Sequence, residues 1–258
     1  MQIHFAHANG IPGSSYLPLL ERLQPHSSFA LDRFGHDPRY PFDDNWTHLA
    51  DELIAHLQGH ATEPVVGIGH SMGAVVTFMA ACKRPDLFRG VLLLDPPIFW
   101  GVAAWVLKAL KLLGQTDRVT PAGKSKFRRQ RWDSRQQALD YFASKPLYQF
   151  PPDCFAAFCA AALEPDDGEG VRLRFHVEVE LGIFRHSPDN LKSYPRHEGV
   201  PIRLIFADQS NASRPAMILP FARHFGIELE RIVGEHMFPL RQPELTAQRI
   251  HAFIDSIR

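Results

Sequence analysis

Short apolar runs alternate with segments of helical period along most of the chain. Residues 3–8, 28–31, 65–68, 91–94, 202–206 and 229–233 are mostly apolar and rich in branched side chains. Runs of this kind predict parallel strands buried on both faces. Between them, residues 16–23 carry leucine at 19, 20 and 23, and residues 46–57 carry apolar side chains at 46, 49, 50, 53, 54 and 57. That spacing is the period of a helix with one buried face. Residues 72–82 and 245–257 predict two further helices. Strand alternating with helix implies βαβ units, hence an α/β fold with a mostly parallel sheet.

From about Pro97 to Gly199 the alternation stops and the pattern becomes helices and loops. Residues 102–113 predict a strongly apolar helix, 134–142 and 153–163 two more, with Pro146, Pro151, Pro152, Pro165, Gly168 and Gly170 as punctuation. Residues 171–179 alternate and predict a short strand or extended loop. The expected division is a core of residues 1–97 and 200–258 with a mainly helical cap inserted at 98–199. Repeats and low-complexity tracts are absent from the sequence.

Composition narrows the class of protein. At 258 residues and 45% hydrophobic content the chain can bury a sizeable core. The formal net charge is zero, which argues against a broad nucleic-acid footprint. The three cysteines, Cys82, Cys154 and Cys159, have no CxxC spacing, so neither a disulfide framework nor a zinc site is expected. The amino-terminal residues lack the pattern of a signal peptide, and every apolar run is shorter than a membrane span. The expectation is a cytoplasmic protein acting on a small molecule, without nucleic acid, membrane, metal or cofactor as partner. Fourteen histidines are present, too many for counting to identify a working one.

The most informative segment is Val65-Val66-Gly67-Ile68-Gly69-His70-Ser71-Met72-Gly73-Ala74, a predicted strand, a G-x-S-x-G turn and a predicted helix. A nucleophile elbow needs this order: the turn holds Ser71 in strained geometry, and Gly69 and Gly73 keep its neighbours small. The start of the following helix favours negative charge developing near the hydroxyl. His236, on the loop between the last predicted strand and the last helix, is placed to reach the elbow as its base. His70 points away from Ser71 in a tight turn and is expected to pack beside it, and His7 ends the first strand and borders the same pocket. An oxyanion needs backbone donors, expected from Met72 and from the Gly10-containing loop after the first strand, through Ile11 or Asn9.

These residues resemble the α/β-hydrolase superfamily. Gly69-His70-Ser71-Met72-Gly73 resembles its elbow, and Asn9-Gly10-Ile11-Pro12-Gly13-Ser14-Ser15 its oxyanion loop. The resemblance implies a six-stranded, mostly parallel sheet, because the oxyanion strand starts at residue 3 and leaves no room for a preceding hairpin. It favours Ile11 as second donor, with Asn9 the alternative alignment. It also exposes a departure: the family's usual acid position after the penultimate strand is held by Ser210, with Asp208 two residues early. Some members carry the acid after the strand that follows the elbow helix, where Asp95 stands. Asp95 is favoured and Asp208 is the alternative. The implied activity is hydrolysis of a carboxylic ester or thioester through an acyl-enzyme. Carbon–carbon bond hydrolysis and cofactor-free haloperoxidase chemistry use the same residues, and a non-catalytic ligand-binding protein of this fold is the reading from another class. Residues 118–135 hold seven basic side chains and one acid, Asp133; they form either a surface for an anionic substrate or a solvated cap face.

Overall fold

Branched residues on adjacent strands fill both faces of one sheet, and each strand is followed by a helix that covers a face. The computed structural model describes residues 1–168, 170–195 and 199–258. The chain begins β1 (Gln2–Ala6), α1 (Leu17–Glu21), β2 (Ser27–Ala30), α2 (Thr47–His60), β3 (Val65–His70), α3 (Met72–Lys83) and β4 (Phe88–Leu94). It continues through α4 (Val102–Leu112), α5 (Ala122–Ser125), β5 (Arg131–Trp132), α6 (Arg135–Ala143), α7 (Pro152–Ala162), β6 (Leu163–Pro165), β7 (Val171–Leu173) and α8 (Val177–Arg185). It closes with β8 (Ile202–Ala207), α9 (Pro215–Phe225), β9 (Glu228–Ile232), α10 (Phe238–Arg241) and α11 (Pro243–Ser256).

The main sheet has six strands in the order β2-β1-β3-β4-β8-β9, every neighbouring pair parallel. This is the reduced α/β-hydrolase sheet expected from the sequence. Alternation along the strands sends Ile3, Phe5, Val66, Ile68, Leu92 and Leu94 to one face, where they pack with the apolar side of α11. Ala6, Val65, Val91, Leu93 and Leu204 go to the other face with α2, α3 and α9. The central strand β3 is buried along its whole length. Parallel order brings all the carboxyl ends of the strands to one edge, where ligands of open α/β sheets bind.

Three elements depart from the sequence pattern. The predicted helix at 16–23 is shorter: a 3-10 turn at Gly13–Tyr16 leads into α1, which Pro18 helps to start. Only Val171–Leu173 of the alternating stretch is strand, in a small antiparallel sheet β5-β7-β6. Residues from Val177 onward form α8, with Glu178 and Glu180 in its first turn, where acidic groups suit the helix dipole. α9 is hidden in the sequence by Pro220 inside it, a residue that ordinarily ends a helix. Between β4 and β8 the chain is mainly helical, and Trp132, Phe142 and Phe158 bury themselves in the same cluster as the sheet residues Phe5 and Ile68. α7 packs on the Gly13–Tyr16 turn and on α1.

Candidate active site

Ser71 sits between β3 and α3 with φ 56° and ψ −120°, a backbone conformation that L side chains rarely adopt. The surroundings enforce it. A methyl group on Gly73 would stand 2.2 Å from the Ala6 carbonyl oxygen, and one on Gly69 2.3 Å from the Gly73 oxygen. Backbone atoms on both sides therefore exclude any side chain at these positions. The Ser71 N–H donates to the Leu94 carbonyl at 2.9 Å, tying the turn to the end of β4. Met72 is the first residue of α3, so its N–H has no acceptor within the helix.

His236 lies on the turn before α10, with Nε2 3.0 Å from Ser71 Oγ and Nδ1 2.6 Å from Asp95 Oδ2. Asp95 is fully buried at the end of β4. Its Oδ1 accepts the Ala207 N–H at 3.0 Å, and Oδ2 also accepts the Ser210 hydroxyl. Burial raises its carboxyl pKa, but the His236 hydrogen bond and charge, with Ser210 and the Ala207 N–H, bring it below the ordinary carboxylate value. Asp208 is elsewhere: exposed, with Oδ1 accepting from the Gly234 N–H at 3.1 Å. The structure thus gathers Ser71, His236 and Asp95 and leaves Asp208 outside. Ser210, at the family's usual acid position, hydrogen-bonds the acid from the neighbouring strand end instead. Its place in the sequence was visible; its contact with Asp95 was not.

The oxyanion loop requires one revision. The Ile11 N–H donates to the Ala8 carbonyl at 3.1 Å, closing a tight turn, so the favoured second donor is already engaged. The Asn9 N–H has no such acceptor among the described residues, which reverses the preference between the two alignments. The Asn9 side-chain amide donates to the Glu180 carbonyl at 2.9 Å and anchors the loop to α8. Gly10, at φ +75°, lets the ion pair Arg128–Glu180 approach: a Cβ there would stand 2.8 Å from Glu180 Cδ and 3.0 Å from Arg128 Nη1. That pair, at 2.6 Å, is nearly buried. Composition of the basic stretch alone did not signal it, because Glu180 lies 52 residues away in sequence.

His70 and His7 are wholly buried, so they stand behind the site's loops rather than on its open surface. His70 Nε2 lies 2.9 Å from the His236 carbonyl and Nδ1 lies 2.7 Å from the Tyr16 hydroxyl. A carbonyl only accepts, so Nε2 carries the proton and the Tyr16 O–H donates to Nδ1. Tyr16 in turn accepts the Ala8 N–H at 3.4 Å. One buried chain of hydrogen bonds thus links the oxyanion loop to the backbone of His236. Burial, and then the nearby His236, lower the His70 pKa to about 3, which keeps it neutral. His7 donates from Nδ1 to the Ala8 carbonyl and accepts the Phe34 N–H at Nε2, and burial lowers its pKa to about 4. His197 lies outside the described residues.

None of the three cysteines is in a disulfide, and burial pushes their thiols up to about 11 or 12, which makes them poor nucleophiles. Among the described residues, no group of three His, Cys, Asp or Glu is disposed to hold a metal ion. None of the helices formed by these residues is long and apolar enough to cross a membrane. In the basic stretch, Arg128 faces Glu180, Lys126 lies 3.6 Å from Asp117 and Arg131 3.3 Å from Asp166, so part of its charge is matched locally.

With an elbow serine under an imidazole at the carboxyl edge of a parallel sheet, the fold and site define a class, and the comparisons with known proteins agree. The chain belongs to the Alpha/beta hydrolase family, whose sequence model it matches over residues 5–249. It is 26% identical over 268 residues to a Type I acyl-CoA thioesterase mpaH of Penicillium roqueforti, covering 93% of this chain and 57% of the relative. A Monoglyceride lipase homolog of Monkeypox virus is 28% identical over 133 residues, 47% of this chain and 48% of the relative. The chain therefore spans about half the length of these curated relatives. Among solved structures, E-2-(acetamidomethylene)succinate hydrolase superposes with a TM-score of 0.76 at 21% identity, over 99% of this chain and 91% of that one. At that identity the likeness concerns the fold.

Proposed function

We propose that this protein is a serine hydrolase that cleaves a carboxylic ester or thioester of a small-molecule acyl substrate. The observation that carries the reading is the pair of contacts made by His236, 3.0 Å to Ser71 Oγ and 2.6 Å to Asp95 Oδ2. In this reading Asp95 accepts a hydrogen bond from the Nδ1–H of His236, which keeps the proton there and leaves Nε2 free to accept the Ser71 proton. Ser71 Oγ attacks the acyl carbon, and the Met72 and Asn9 N–H groups receive the oxyanion. His236 then gives the proton to the leaving alcohol or thiol. Water, losing its proton to the same nitrogen, attacks the acyl-enzyme carbonyl; as the bond to Ser71 Oγ breaks, His236 returns that proton to Oγ, releasing the carboxylic acid and regenerating the serine.

The thioesterase and lipase names among the relatives support an acyl substrate, and residues 98–199, as a cap over the carboxyl edge of the sheet, would select it. Buried cysteines without disulfides suit a reducing compartment, the cytoplasm. The test is covalent labelling by a fluorophosphonate. Wild type should label and Ser71→Ala should not; a folded wild type that does not label refutes the reading in favour of a ligand-binding protein. A panel of p-nitrophenyl esters and acyl thioesters of graded length then ranks substrates.

A further inference from the structure

Helix α4 presents its apolar side to solvent. Of its 11 residues only Leu107 is buried. Val102, Trp105 and Leu112, with Leu113 just past its end, are 79%, 72%, 83% and 67% exposed. Residues 102, 105, 106, 109, 112 and 113 recur at three- and four-residue spacing and are all apolar, so they form one stripe along the helix. The opposite side, which packs on the protein, holds Ala103, Ala104, Leu107 and Lys111. A stripe of this size on the outside of a globular domain marks an interaction surface.

The polar rim decides what the stripe fits. Residues 101–128 hold six basic side chains (Lys108, Lys111, Arg118, Lys124, Lys126 and Arg128) against a single acid, Asp117. Lys108 lies over the Trp105 ring and Lys126 over the ring of Phe127, which is itself 80% exposed. An open cleft of about 460 Å³ adjoins, its wall including Lys111, Arg118, Lys126 and Arg185 with Asp117. Some of this charge is matched: Arg128, nearly buried, by Glu180, Lys111 by Asp44 and Asp189, Arg185 and Lys126 by Asp117. Lys108, Arg118 and Lys124 are exposed and face no acid within ion-pair distance among the described residues.

We propose that this face, residues 102–127, docks the protein on the surface of an anionic phospholipid bilayer. An amphipathic helix with Trp and Leu on one side and Lys at its margins lies in the plane of such an interface, its apolar stripe among the acyl chains and its cations at the phosphates. A second copy of the chain fits less well, since a symmetric contact would set these cations against themselves. A nucleic acid would match the cations and leave the stripe in water. The sequence expectation of no membrane partner rested on the length of apolar runs, which bears on spanning and not on adsorption. The proposal rests on this surface alone and holds whether or not Ser71 is a nucleophile.

Co-sedimentation with vesicles tests it, using the full chain and either phosphatidylcholine alone or an equimolar mixture with phosphatidylglycerol. Wild type should sediment with the anionic vesicles, weakly with the neutral ones, and less as salt rises. Arg118→Gln with Lys124→Gln should weaken partitioning about 25-fold, about fivefold per cation near the surface. Trp105→Ser with Leu112→Ser should weaken it at least about tenfold while leaving the thermal melting temperature unchanged, because both side chains are exposed in solution. Trp46 and Trp132 are buried and Trp100 is packed against Phe221 and Phe225, so most of a vesicle-induced blue shift of tryptophan emission should come from Trp105 and be lost in Trp105→Phe while sedimentation persists. The proposal is overturned if wild type does not bind anionic vesicles at low salt, or if the Trp105→Ser, Leu112→Ser variant binds like wild type. It is equally overturned if that variant melts lower, or if ultracentrifugation without lipid shows a dimer that the same substitutions abolish, which assigns the stripe to a second copy.

Discussion

Replacing Asp95 by asparagine separates the two candidate acids most sharply. The buried carboxylate accepts three donors: the Ala207 N–H on Oδ1, and His236 Nδ1 and the Ser210 hydroxyl on Oδ2. Asparagine has one acceptor oxygen. If it stays on the Ala207 side, the amide NH2 faces His236 and donates to Nδ1. The imidazole must then carry its proton on Nε2, where it donates to Ser71 and can no longer accept the Ser71 proton. The flipped amide sets two donors, NH2 and the Ala207 N–H, against each other in a buried place, at a cost of about 1–3 kcal/mol. The wrong tautomer is therefore preferred, and kcat on a p-nitrophenyl ester should fall about 10⁴-fold, about 5.5 kcal/mol of transition-state stabilisation. Asp208→Asn keeps an oxygen for the Gly234 N–H and should change kcat less than about threefold. Ser210→Ala removes one donor to the carboxylate and should cost about tenfold. Circular dichroism controls for folding. The reasoning is refuted if Asp95→Asn retains more than about a tenth of wild-type kcat, or if Asp208→Asn is the inactive variant.

Four other outcomes follow from the packing and charge of the fold. Gly73→Ala forces a Cβ to 2.2 Å from the Ala6 oxygen and should destabilise by at least about 3 kcal/mol. Gly59→Ala, with open space around it in α2, should be neutral or gain up to about 1 kcal/mol by urea denaturation. Glu180→Ala strands the buried Arg128 guanidinium and should cost about 3–5 kcal/mol; Glu180→Leu with Arg128→Met should recover most of it, and a double variant no more stable than the single one would sink the argument. Burial lowers His7 and His70 to about 4 and about 3, against an ordinary value of 6.5. Both stay neutral in the fold while the unfolded chain binds protons below 6.5, so their stabilisation is present above that pH and is lost as pH falls towards 4. His7 alone accounts for up to about 3 kcal/mol over this window, and a melting temperature flat between pH 7 and pH 4 would contradict it.

What was legible in the sequence was local. Branched apolar runs marked the inner strands β3 and β4 because a strand buried on both faces needs few polar positions, whereas the edge strands β2 and β9 are half-exposed and keep polar ones. Gly69 and Gly73 marked the elbow because backbone lies within bond-like reach of any Cβ added there. His236 was found because the loop after the last strand must open at the carboxyl edge of a parallel sheet. Less was legible where contacts join distant residues. Asp95 and His236 are separated by 141 positions, and only the alignment of β4 beside β8 brings Asp95, Ala207 and Ser210 together. Whether Ile11 or Asn9 offers a free N–H depended on a turn that closes onto Ala8, which spacing does not reveal.

The sequence by itself determined the α/β class, the strand–helix order and a serine held on a strained turn, because these follow from side-chain periodicity and from steric demands between near neighbours. The tertiary structure decided the rest. It chose which carboxylate reaches the imidazole, since hydrogen bonds depend on ångström distances across the sheet edge. It also turned the apolar side of α4 outward: periodicity reports that a helix has an apolar face, but only the packing of the whole chain decides whether that face meets the core or the solvent.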